Sequence, residues 1–392
     1  MLERGEFLNN IAYFDNAATT FPKPEDVYVF TDKFYRECGV NVGRGQYSLA
    51  SKASALVTET RQLLLGLCHC RNKCVVFTHT ATEAINMVLL GVELLDGSNV
   101  YVSPFEHNAI LRTLHHIAEK RQINIITLAV DKTSFVYDID KIRVQFADNP
   151  PSLVAISHAS NVCGLIAPIA EISAIAKRHN AITVVDMCQT MGLIDTDLNN
   201  TNIDYTVFAG HKTLYAPLGV AGFICSSDIS LQPLMFGGTG VDSASRALPD
   251  TVPERYEVGS PNIMAIAGLN AALRWAQNIG IENILKTEKL NHHRLLMTLS
   301  EFHNITVLAS TNLTNTIGVV SCIFDGYSSD NMGQVLAQQN IAVRTGLHCA
   351  PDAHRFLGTF PAGTVRFSVG YFNTDADFTM LSDALKYMAE NS

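Results

Sequence analysis

Ala181-Ile182-Thr183-Val184-Val185-Asp186 and Tyr205-Thr206-Val207-Phe208-Ala209-Gly210-His211-Lys212 are two short apolar runs, each closed by a charged residue. Their length and β-branched content predict buried parallel strands. A lone carboxylate and a lone ammonium at the ends of neighbouring buried strands are costly unless they share a partner. An isolated ion pair is the simpler reading of either residue alone. The two together point to a ligand that needs an anion at one end and an amine at the other.

Working outward, strand-like runs are expected at 74–77, 99–102, 123–127, 153–157, 182–185, 204–208 and 220–224, with helical patterns at Thr82–Leu90, His107–Ala118 and Pro168–His179 between them. Alternation of this kind predicts an α/β chain with a doubly wound, mostly parallel seven-stranded sheet. Ligands of such sheets gather at the carboxyl ends of the strands, where Asp186 and Lys212 fall. After an irregular stretch at 226–262, a long helical stretch is expected from about Met264 to Phe302. A strand, a helix, a strand and a helix then follow at Thr316–Phe324, Asp330–Gln339, Thr364–Val369 and Asp375–Ala389. The expected division is a large domain at 15–262 and a smaller α+β domain at 263–392, with the N-terminal segment 1–14 packing near the latter.

At 392 residues the chain is too long for one ordinary core. A 47% hydrophobic and 17% charged composition excludes a disordered or fibrous chain. A net charge of −9, with scattered Lys and Arg, argues against nucleic acid or an anionic membrane as partner. Met1-Leu2-Glu3-Arg4-Gly5-Glu6 has no apolar signal core and no stretch is fit to span a bilayer, so a cytoplasmic protein is expected. Nine scattered cysteines are not a disulfide scaffold. Cys68-His69-Cys70 with Cys74 lacks paired C-x2-C knuckles, so these residues are expected to be apolar fillers and no metal site is expected.

Several further motifs carry chemistry. Thr80-Ala81-Thr82-Glu83 follows a strand and opens a helix, offering either a phosphate cradle, with the Ala81 and Thr82 amides and the Thr82 hydroxyl, or an ordinary threonine cap. Ser157-His158-Ala159-Ser160-Asn161 closes another strand, where Asn161 suits a ligand contact or a turn. Cys349 sits in the loop Val343-Arg344-Thr345-Gly346-Leu347-His348-Cys349-Ala350-Pro351, beside a histidine and an arginine that can favour the nucleophilic thiolate. Arg366, on a later strand, suits a bidentate grip on a carboxylate.

A ligand that meets both the Asp186 and Lys212 demands is pyridoxal phosphate, whose ring nitrogen takes an anion and whose aldehyde condenses with a lysine. With Gln189 and Gly210-His211-Lys212, the chain resembles the class V aminotransferases of fold-type I, and more narrowly their cysteine desulfurase and selenocysteine lyase branch. The resemblance runs from Tyr13-Phe14-Asp15-Asn16-Ala17-Ala18-Thr19-Thr20 to Arg366-Phe367-Ser368-Val369-Gly370 and beyond. It implies Lys212 and Cys349 as catalytic residues, with His107 stacking on the cofactor ring and passing protons. Asn161 and Gln189 would bond near the phenolic oxygen, Asp186 would face the ring nitrogen, and His211 would reach the phosphate. Ser260, in Arg255-Tyr256-Glu257-Val258-Gly259-Ser260-Pro261-Asn262, would touch the phosphate of a second copy, which implies a homodimer. Arg366, with help from Asn161, would hold the carboxylate of L-cysteine. The persulfide formed on Cys349 would pass to an acceptor protein.

Three positions depart from the family pattern: Thr80 stands for a usual Gly, Ala209 for a phosphate-binding Ser, and Leu347 for a second His. The short span from Cys349 to Arg366 resembles the group whose cysteine loop is structured. L-Selenocysteine as substrate, a related aminotransferase or C–S lyase, and a non-catalytic scaffold are the alternatives at this level.

Overall fold

The computed structural model describes residues 11–391 apart from 44, 46, 200, 242–243 and 309–313. In chain order the strands are β1 (Ala12–Tyr13), β2 (Cys74–Thr78), β3 (Asn99–Val102), β4 (Asn124–Thr127), β5 (Leu153–Ser157), β6 (Ile182–Asp186), β7 (Tyr205–Ala209), β8 (Ala221–Cys225), β9 (Ile305–Val307), β10 (Val319–Phe324), β11 (Ile341–Ala342), β12 (Arg344–Gly346) and β13 (Thr364–Ser368). The helices are α1 (Glu25–Cys38), α2 (Ser48–Leu67), α3 (Ala81–Gly91), α4 (Asn108–Ala118), α5 (Ile139–Asp148), α6 (Ile169–Lys177), α7 (Ile263–Ile279), α8 (Ile281–Ser300), α9 (Ser329–Gln338), α10 (Pro351–Leu357) and α11 (Asp375–Asn391).

The expected seven-stranded sheet is present, in the order β2-β8-β7-β6-β5-β3-β4. Only β8 runs against its neighbours β2 and β7. Alternate residues serve opposite faces, as a pleated strand requires. Val154, Ile156, Val185 and Phe208 enter one core, while Leu153, Ala155, Val184 and Val207 enter the other. Each of the Val, Leu, Ile and Phe side chains contributes about 1.5–3 kcal/mol on burial, and this two-sided demand explains the uninterrupted apolar runs of β5, β6 and β7.

The second sheet, β12-β13-β10-β9, is antiparallel and packs on α8, α9 and α11. Ala12 and Phe14 belong to its core, and β1 pairs in parallel with β11. The rest of the expected N-terminal segment, residues 1–10, lies outside the described residues.

The helical stretch expected over 264–302 is built from two helices. Gly280, at φ +85°, ends α7 and starts α8, a backbone conformation that glycine adopts without a Cβ penalty. Helix α7 packs on α1 and α2 and joins the core under the large sheet. We propose the division as expected, a large unit at 15–262 and a smaller one at 263–392, with α7 packing into the cores of both. Among the described residues no helix is long and apolar enough to cross a membrane.

Candidate active site

Five chain segments converge at the carboxyl edge of the large sheet. Strand β6 ends at Asp186, β7 runs into His211 and Lys212, and β5 ends at Ser157 with Asn161 just beyond. Helices α3 and α4 begin there after β2 and β3. A cavity of about 280 Å³ lies between them, lined by Ala81, Thr82, His107, Asn161, Asp186, Gln189, His211 and Lys212, among others. These are eight of the eleven expected site residues, brought from positions far apart in the chain.

Local chemistry fixes each of them. The Thr80 hydroxyl accepts from the Glu83 amide at 3.1 Å, so Thr80 is the α3 cap. The first helical amides, those of Ala81 and Thr82, have no intrahelical acceptor. The His107 Nδ1 accepts from the Ala109 amide at 3.0 Å and caps α4. An N–H donor there requires an unprotonated Nδ1, so neutral His107 carries its proton on Nε2. Burial first, then the Lys212 ammonium, lowers its pKa to about 4. The Asp186 Oδ1 accepts from the Cys188 amide at 2.8 Å, and the Gln189 amide donates to the Ala17 carbonyl at 2.9 Å. His211, whose pKa burial also lowers to about 4, has a buried Nδ1 without a partner.

The loop bearing Cys349 closes over this edge from the small sheet. The Cys349 carbonyl accepts from the Asn108 amide at 2.7 Å, and the His348 carbonyl accepts from the Asn161 side chain at 2.7 Å. Two consecutive left-handed residues, His348 (φ 49°) and Cys349 (φ 58°), make the turn. Such conformations are strained for non-glycine residues and persist where surrounding bonds enforce them. Arg344 Nη2 lies 3.6 Å from the Cys349 sulfur.

Of the two residues expected beside the sulfur, only Arg344 lies against it. The His348 ring is buried in the small unit, with Nε2 2.9 Å from the Thr364 hydroxyl. Burial first, then Arg366, holds its pKa at about 2. His348 is therefore a neutral packing residue. His354 is likewise buried, with its Nδ1 2.7 Å from the Thr359 hydroxyl.

Arg366 and Ser260 do not line the cavity. Arg366 lies behind Asn161, with its Nη1 donating to the Asn161 carbonyl at 3.0 Å. Ser260 is exposed and lines a separate recess with Gly238 and Thr239. Cys68 and Cys70 are buried, and His69 pairs with Asp195.

Three groups had no role assigned from sequence. Glu106 is fully buried and accepts from Ser103 and from the amide and hydroxyl of Ser157, tying β3 to β5 beneath His107. Thr19, Thr20 and Lys23 all donate to the His211 carbonyl, pinning the turn that carries Lys212. Asp15 pairs with Arg366. Only Asp15 had a local signal, a carboxylate directly after the apolar Tyr13-Phe14.

Buried titratable groups give the fold a pH dependence. Outside the cavity, burial lowers His158, His292 and His354 from 6.5 to about 4, and His348 further. The unfolded chain therefore binds protons that the folded chain refuses, and this stability is lost as pH falls through 6.5 toward 4. Burial raises Glu106 and Glu288 from 4.5 to about 7, which stabilises in the opposite sense and is lost as pH rises between those values. Four imidazoles outweigh two carboxyls. The thermal midpoint is expected to fall between pH 7 and pH 5, and differential scanning calorimetry across that range checks it.

The family model for aminotransferase class-V matches residues 12–381. The chain belongs to the class V aminotransferases. Among these relatives, a probable cysteine desulfurase of Methanothermobacter thermautotrophicus is 30% identical over 97% of this chain and 96% of its own length. Another from Haemophilus influenzae is 32% identical over 96% of this chain and 86% of its own. The apo structure of a cysteine desulfurase from Thermococcus onnurineus NA1 superposes with a TM-score of 0.91 at 27% identity, with both chains fully covered. A class V aminotransferase of fold-type I is thus the architecture, as the strand pattern and motifs implied.

Proposed function

We propose that the chain is a pyridoxal phosphate-dependent cysteine desulfurase that converts L-cysteine and the Cys349 thiol into L-alanine and a Cys349 persulfide. One observation carries the reading. Asp186 and Lys212 face one cavity from adjacent strand ends, and the loop of a cysteine with a guanidinium at its sulfur is bonded to the residue after His107.

The residues present fit the cofactor. Asp186 supplies the anion for a ring nitrogen and Lys212 the amine for the aldehyde. The α3 amides and the unpartnered His211 Nδ1 suit a phosphate. When bound, the cofactor supplies an electron sink for charge developing at the substrate α-carbon. Lys212 takes the α-proton, and neutral His107 presents its Nε2–H toward the cavity as a donor. Arg366 holds the substrate carboxylate, and Gln189 keeps its second N–H for the phenolic oxygen. The Cys349 sulfur attacks the substrate sulfur. The Cβ–S bond breaks, an S–S bond forms, and the carbon is reduced to a methyl group as the sulfur is oxidised to the persulfide level.

Ser260 completes the phosphate site of a second copy, and the exposed Leu234-Met235-Phe236 run suits burial against one. A homodimer is therefore the working unit, and an acceptor protein takes the sulfur. Incubating the purified enzyme with L-cysteine is expected to give alanine and a 32-dalton gain on the Cys349 peptide, about the mass of one sulfur atom that sulfur transfer to the thiol adds. Pyruvate with ammonia, and no mass gain, would instead identify a C–S lyase.

A further inference from the structure

The small sheet sets two like charges face to face. In the antiparallel register of β12 and β13, Arg344 is the direct partner of Arg366. Like charges directly opposite on such a pair are destabilising. Among the described residues, one carboxylate forms an ion pair with either of them: the Asp15 Oδ1 lies 2.7 Å from Arg366 Nη2. It arrives from outside that sheet, on the segment following β1, where the backbone of Asp15 bridges to Ser368.

The Arg366 side chain is only 1% exposed. Its Nη1 is taken by the Asn161 carbonyl, its Nη2 by Asp15, and its Nε is buried without a partner. With both terminal nitrogens engaged, the planar fork has one orientation. The same Asn161 holds the His348 carbonyl through its side chain, so the clamp on Arg366 and the clamp on the cysteine loop share a residue. Two guanidiniums against one protein carboxylate leave this face with an excess positive charge, which the carboxylate of an amino acid would balance.

We propose that Asp15 is a positioning residue: it aims the Arg366 guanidinium at the substrate α-carboxylate and so sets affinity for amino acids as opposed to simple amines. This rests on the role given to Arg366 above.

L-Alanine and ethylamine differ only by the carboxylate, and each is titrated against the visible band of the cofactor-loaded enzyme. Asp15→Asn is expected to weaken L-alanine by about tenfold or more while ethylamine stays within about twofold, the scale of one charge-assisted hydrogen bond. The KM for L-cysteine rises by the same factor, with kcat little changed. Asp15→Glu, which keeps the charge, recovers part of the loss. Equal weakening of both amines, or a fall in kcat at constant KM, would make Asp15 a merely structural residue and overturn the proposal. If Asp15→Asn loses the visible band and the thermal transition, Asp15→Glu carries the test alone, with a smaller loss confined to L-alanine. Arg366→Lys separates the underlying reading. If it discriminates the two amines as well as the parent enzyme does, Arg366 does not hold the carboxylate, whatever Asp15 does.

Discussion

Replacing Lys212 with Ala is expected to lower alanine formation from L-cysteine by on the order of 10⁴-fold or more, the scale on which removing a residue with two catalytic roles acts. It is also expected to remove the visible band of lysine-bound cofactor. The size of the effect follows from the surroundings. Of the other titratable side chains in the lining, Asp186 and His211 are proposed to hold the cofactor, and His107 is a poor substitute. Its Nδ1 is engaged by the Ala109 amide, and its pKa of about 4 makes it a weak base. The turn itself survives the substitution, because the contacts from Thr19, Thr20 and Lys23 go to the His211 carbonyl and leave the Lys212 side chain free. In the cofactor-free protein, removing the ammonium relieves the charge that, after burial, depresses His107 and His211, so both imidazoles should titrate at higher pH there. Alanine assays test the first claim, absorbance the second and imidazole NMR the third. A variant with near-normal turnover would remove Lys212 from the mechanism.

Much of this site was legible because its parts sit at the ends of strands that announce themselves. A strand buried on both faces needs an unbroken apolar run, so Asp186 and Lys212 stand out as the first charges after one. The same logic located β2 to β8 to within a residue or so. The direction of β8 was not legible, since a run such as Ala221-Gly222-Phe223-Ile224-Cys225 reads alike in either sense. Nor was the break at Gly280, where apolar spacing continues on both sides and only the positive φ separates α7 from α8.

Side-chain partnership across long sequence separation was the least legible. Local adjacency suggested that His348 acts on Cys349, but consecutive residues in a left-handed turn need not face the same way. The imidazole enters the small core while Arg344, on β12, reaches the sulfur. Asp15 and Arg366 meet only because β1 and β13 are drawn to one edge, and no local pattern encodes that.

Replacing Cys349 with Ala should abolish the persulfide while leaving cofactor and fold in place, a separation the loop geometry makes possible. The loop is held by backbone carbonyls, those of Cys349 and His348, through Asn108 and Asn161. Alanine retains both bonds and has no more difficulty than cysteine at φ 58°. Only the sulfur is lost, with the Arg344 contact at 3.6 Å. L-Cysteine should still perturb the visible band with a similar half-saturation, because the residues proposed to serve its amine and carboxylate, Lys212 and Arg366, are unchanged. Alanine release should fall by on the order of 10³-fold or more, since a free thiol from solution must replace one delivered at high effective concentration. Arg344→Met supplies the intermediate case, keeping the thiol but removing the guanidinium 3.6 Å from its sulfur. Persulfide should then still form on Cys349, but more slowly. Mass spectrometry of the Cys349 peptide over a time course distinguishes the three enzymes. A persulfide found on another cysteine in the Cys349→Ala variant would move the nucleophile elsewhere in the chain.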